Sequence, residues 1–190
     1  MYKESGIDAS VTEVTILVVI NAEKVLASTG QRSQDYNNPV PIGHENQYLL
    51  CDDPYAPAVN QGTGDIKFVA KKFDLVSFTG TTIHNNSRFA VIVYNIEHLS
   101  GDRVLDLGAG LTHRIFMLEG AAQPDPNKPP YGLPALHRPR DFEILDTRVL
   151  GKGTENFWVW FALYDLGPDR ETQNLVSYFK WDPTITTELR

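Results

Sequence analysis

No stretch of this 190-residue chain sustains a 3.6-residue apolar period over eleven positions. A chain without helical stripes has to build its core from strands. What recurs instead is short apolar runs, alternating or continuous, each stopped by turn formers. Residues 14–20 read VTILVVI, β-branched side chains that suit a pleated, buried surface. Residues 47–51, 65–70, 74–78, 89–96, 104–107, 114–118, 142–150, 156–164 and 175–181 follow the same rule. Breaks such as 60–64 and 151–153 separate them. About ten strands with little helix predict an all-β chain, a jelly-roll-like antiparallel β-sandwich. The one helix signal is at 21–26, where Asn21 can cap a short turn with Glu23 near its start. The alternation of strand with long helix that a parallel α/β sheet needs is absent.

Two stretches read as loops. Residues 28–45 carry Gly, Ser, Asn-Asn-Pro and Pro, and residues 123–139 hold six prolines, which favours a semi-rigid extended excursion. The segment after the second is too small to fold alone, so residues 1–190 form a single domain.

The charge balance, 24 acidic against 17 basic for a net −7, disfavours nucleic acid or an anionic membrane as partner, since phosphate binding needs clustered Lys and Arg. Cys51 is the only cysteine, which rules out an internal disulfide and a multi-cysteine zinc site. It follows Tyr48-Leu49-Leu50 in an apolar run and reads as buried packing. The longest apolar run, 16–20, is far below a membrane span. Met1-Tyr2-Lys3-Glu4-Ser5 lacks the basic-then-apolar order of a secretory leader, so a cytoplasmic home is expected.

Val104-Leu105-Asp106-Leu107-Gly108-Ala109-Gly110 looks like the first motif of S-adenosylmethionine-dependent methyltransferases, in which a strand meets a glycine turn at a helix N-terminus. Thr112 stands where a further glycine is wanted, and residues 111–118 alternate like a strand. A β-turn between 104–107 and 114–118 accounts for the glycines better. The five histidines, His44, His84, His98, His113 and His137, show no ligand spacing, and no nucleophile elbow or phosphate-cradling string is present. No catalytic constellation and no cofactor are expected.

The candidate binding residues are polar turns and one aromatic strand. Asp52-Asp53, Asp65 and Asp182 stand beside turns. They could offer oxygens to Ca²⁺, though carboxylates that bond their own backbone are the simpler reading. His84-Asn85-Asn86-Ser87 is a turn that could also present amides to a sugar. In Phe157-Trp158-Val159-Trp160-Phe161 the period of two puts Phe157, Val159 and Phe161 on one face, the core, and Trp158 and Trp160 on the other. The tryptophans are then a second buried layer, or a binding or dimer surface.

Taken in order, Thr15-Ile16-Leu17-Val18-Val19-Ile20-Asn21, Ser33-Gln34-Asp35-Tyr36-Asn37-Asn38-Pro39, Asn60-Gln61-Gly62-Thr63-Gly64-Asp65-Ile66, Phe89-Ala90-Val91-Ile92-Val93-Tyr94-Asn95-Ile96 and Tyr178-Phe179-Lys180-Trp181-Asp182-Pro183-Thr184-Ile185 resemble the PixA/AidA inclusion-body family of bacterial proteins. The Gln-Gly-Thr loop and the Trp-Asp-Pro ending are the most specific pieces. The resemblance implies a non-enzymatic protein with no catalytic residues to carry over, of a kind that accumulates in cytoplasmic inclusions of host-associated bacteria. The name-giving inclusion protein is methionine-rich; this chain has two methionines, so a sulfur-storage role does not transfer. The leading expectation is a dimeric, lectin-like sandwich that recognises a glycan in host interaction. Its binding residues would be Asp52, Asp53, His84, Asn85, Asn86, Trp158 and Trp160. The alternative is a structural protein that self-associates into inclusions without a small ligand.

Overall fold

The computed structural model describes residues 11–190, and the Met1–Ser5 stretch read for a leader lies outside them. Among the described residues there are eleven strands, in two stacked sheets, and one short helix. One is ordered β3 (Gln47–Asp52), β1 (Glu13–Ile20), β5 (Leu75–Thr82), β8 (Leu136–Arg148), β7 (Thr112–Gln123). The other is ordered β2 (Val40–Pro41), β10 (Gln173–Trp181), β9 (Gly153–Leu166), β11 (Thr184–Leu189), β4 (Asp65–Ala70), with β6 (Phe89–Gly101) also on β9. The sandwich of about ten strands is as expected. Its sheets are mixed rather than wholly antiparallel, because β1/β5, β2/β10 and β4/β11 pair in parallel. Each of these pairs is joined through other elements of the sandwich, not by a hairpin, and that length of chain permits the parallel direction.

The period of two decides what is buried. Val14, Ile16, Val18 and Ile20 of β1 point inward, as do Phe157, Val159 and Phe161 of β9. Phe78 meets Phe157 edge to face at 5.9 Å across the two sheets. Such a ring pair adds about 1 kcal/mol beyond its buried area. The helix α1 (Ala22–Ser28) forms where its cap is placed, Asn21 accepting from the Lys24 amide at 3.3 Å. Cys51 is buried in β3, and burial, reinforced by Asp53 and Asp52, pushes its thiol up to about 12.

Two expected elements change shape. The stretch 104–107 shrinks to one bridge, Leu105 to Val149, because a buried carboxylate takes its amides: Glu155 Oε2 accepts from Val104 and Leu105, both at 2.8 Å. Its other oxygen holds His98 Nδ1 at 2.6 Å. The glycines do form a turn, Leu111 donating to the Gly108 carbonyl at 3.1 Å. The chain then enters strand β7, where a methyltransferase would need a helix. The proline-rich loop is shorter than expected, with β8 already begun at Leu136. Pro139 fits inside β8 because it lies at the β7–β8 irregularity, where a ladder N–H is not required.

Candidate functional site

The residues singled out for binding lie in three places. Asp52 and Asp53 follow the end of β1 that pairs Thr15, whereas the turn His84–Asn86 follows Thr82, beside Ile20. Five strand steps, about 16 Å, separate those ends of the sheet. Trp158 and Trp160 are on the outside of the other sheet. Asp65 and Asp182 do approach each other, His44 lying 3.4 Å from one and 3.6 Å from the other. Among the described residues no three His, Cys, Asp or Glu side chains converge as a metal site would.

Two of the five polar candidates, Asp53 and Asn86, are engaged with backbone. Asp53 accepts from the amides of Tyr55 (2.8 Å), Ala56 (3.1 Å) and Val69 (2.8 Å), using both its oxygens. Asn86 accepts from Thr82 N (2.9 Å) and Val91 N (3.1 Å) while its amide donates to Val91 O (3.2 Å). His84 and Asn85 stay exposed. Behind the tryptophans the rings interlock edge to face, Tyr94 with Trp160 at 6.1 Å and with Tyr178 at 5.6 Å. The Lys180 ammonium covers both indoles, 4.6 Å from Trp158 and 5.6 Å from Trp160. Among the described residues, Trp160 Nε1 is buried with no hydrogen-bond partner. Burial, with Tyr178 beside it, holds the Tyr94 phenol well above its usual range.

Asn86 belongs to a pattern that covers the sheet edges. Its carboxamide pairs with Val91 N and O as a neighbouring strand would, on β6. On β3, Gln61 does the same, accepting from Cys51 N at 2.8 Å and donating to Cys51 O. Thr63 O accepts from Leu49 on that edge. On β4, Val59 exchanges both bonds with Lys67. On β10, Ser33 O accepts from Tyr178 and Gln34 donates to Val176 O. An uncovered edge is a template for another strand, and these loops remove it.

One edge is left. β7 ends the five-stranded sheet, and among the described residues nothing bonds to the far edge of Thr112–Leu118. Only Leu145 to Arg148 of β8 pair with β5. Beyond them β7 and β8 continue as a two-stranded arm, a form barely stable alone in water. Phe116 and Phe142 stack at 5.8 Å on its outer face. Its inner face carries Ile115, 72% exposed, and Met117, 50% exposed. Glu143 contacts His113 there; burial pushes its carboxyl up, and His113 pulls the other way. Between this face and β6 lies an open cleft of about 270 Å³ bounded by Gly80, Val91, Val93, Ile115, Asp141 and Glu143. Sequence reading placed a strand here, from the alternation of residues 111–118, and the structure puts that strand at an edge.

The family described as "PixA: Inclusion body protein" matches residues 12–187. The chain belongs to the PixA family of inclusion body proteins. The match takes in both sheets, the covered edges and the arm. A PixA inclusion body protein from Burkholderia cenocepacia J2315 has a similar crystal structure. The TM-score is 0.76 at 23% identity, over 96% of this chain and 99% of that one, and this likeness establishes the fold. No curated sequence matches the chain. Among the described residues, no helix is long and apolar enough to cross a membrane.

Proposed function

We propose that this PixA-family protein is a non-catalytic, self-associating protein whose copies assemble in cytoplasmic inclusions. The observation that carries the reading is the edge of β7, bare among the described residues over its most apolar stretch, where β3, β4, β10 and the start of β6 meet loops or carboxamides. Exposed, flat, hydrophobic edge strands promote strand addition, and a family of inclusion body proteins supplies a use for one. Each copy carries net −7, so copies repel, and association strengthens as salt screens them. The test is sedimentation velocity over a concentration series at low and moderate salt. Growth in mass with concentration, enhanced by salt and lost in Ile115→Lys, supports the reading. A monomer at all concentrations ends it.

A second reading, a lectin-like protein that recognises a glycan in host interaction, rests on Trp160 Nε1, a buried donor without a partner beside Trp158 and Lys180. A sugar stacking there has to displace Lys180, a cation–π contact worth about 1 kcal/mol. The exposed His84 and Asn85 and the carboxylate of Asp52 are too far away to join that face. A glycan array followed by calorimetry, with and without Ca²⁺, tests it; absence of binding in both removes it.

A further inference from the structure

We propose that β7 pairs antiparallel with β7 of a second copy about a two-fold axis passing Phe116, joining two five-stranded sheets into one. This rests on the self-association reading and specifies its surface and register. A strand that pairs with its own copy does so about an axis normal to the sheet, and the axis keeps every side chain on its original face. Opposed residues must therefore be an even number of positions apart, which leaves few registers.

Three of them use the apolar stretch. Centred on Met117, Glu119 lies opposite Ile115. Centred on Ile115, Met117 lies opposite His113 and Arg114 opposite Phe116, and no opposite charges meet. Centred on Phe116, Ile115 lies opposite the partner's Met117 and Met117 opposite the partner's Ile115. These are the arm's most exposed apolar side chains within a strand. The same register sets His113 opposite the partner's Glu119, giving charge complementarity at both ends of the apolar row when the imidazole is protonated. On the other face, the two Phe116 rings meet across the axis, extending the stack each makes with its own Phe142. The irregularity that follows Leu118 limits the regular ladder to Arg114–Leu118 and leaves His113 and Glu119 at its two ends, facing as charges rather than as ladder partners.

The chain's own chemistry makes the register measurable. Cys51 is the only cysteine, buried, with its thiol pushed up to about 12, so an introduced cysteine is the reactive one. Single variants His113→Cys, Ile115→Cys, Phe116→Cys, Met117→Cys and Glu119→Cys are made in the full chain, checked for native circular dichroism, and oxidised mildly. The expected result is disulfide-linked dimer forming about tenfold faster at Phe116→Cys than at the other positions, because only there do identical residues face each other at bridging distance. A mixture of Ile115→Cys with Met117→Cys should give mixed dimer faster than either alone. A maximum at Ile115→Cys or Met117→Cys overturns the register. Association without cross-linking at any of the five overturns the surface and leaves self-association standing. A protein monomeric under all conditions overturns both.

Discussion

The start of the β6 edge and the edge of β7 are built to opposite ends. At β6, Asn86 adopts a positive φ of 52° and spends its whole carboxamide on Thr82 and Val91. At β7, the backbone of Thr112–Leu118 meets no such side chain among the described residues, and two large apolar residues face water beside it. The same chain blunts edges elsewhere with Asn86, Gln61, Gln34 and loop backbone. On the proposed reading, the apolar edge of β7 is where a second copy joins.

The comparison can be broken from its strong side first. Glu155 is fully buried in β9 and holds Val104, Leu105 and His98. Glu155→Ala strands two amides and an imidazole, and should cost about 3–5 kcal/mol, a fall in Tm of about 10 °C for a chain of this size. If calorimetry shows less than a quarter of that, the body does not depend on this anchor. Asn86→Ala removes three hydrogen bonds and opens the β6 edge. It should cost about 2 kcal/mol and also raise light scattering, because the start of the β6 edge is uncovered. Gln61→Ala, with two bonds to Cys51, should cost about 1 kcal/mol, read by urea unfolding. Ile115→Lys should leave monomer stability within about 0.5 kcal/mol, as surface changes do, while abolishing association. Unchanged association in that variant would contradict the contrast of edges.

The smallest effect is a pH dependence in the arm. Burial raises the Glu143 carboxyl in the folded protein, with His113 opposing. The folded state then holds that proton more tightly than the unfolded chain does. Its contribution to stability is present below the ordinary carboxyl value and lost as pH rises through the raised one. Glu143→Gln should flatten the stability profile of the wild type across that window, and a profile unchanged by the substitution would show that Glu143 is not its source.

Much of the fold was legible because alternation says which residues face the core: Phe157, Val159 and Phe161 are buried as their period requires. The same period puts Glu155 inward, in phase with them, and a carboxylate at a core position is the signal that could have found the anchor. Residues 114–118 read correctly as a strand, but nothing local tells a strand that no neighbour lies beside it. Edge position is a property of topology, set by contacts between residues far apart in sequence. The candidate binding residues were dispersed for the same reason: Asp53 and Asn86 look like free polar turns in sequence, and only the fold brings Val69 and Val91 to them.

The direct test of the central claim is amide hydrogen exchange, resolved by residue, in dilute and in concentrated protein. The account predicts that outward-facing amides within Ile115–Leu118 exchange freely when dilute and slow by at least about tenfold on association, while amides along the β3 and β6 edges stay as they were. Association that leaves the β7 amides unprotected, or protects the β3 or β6 edge instead, would contradict it.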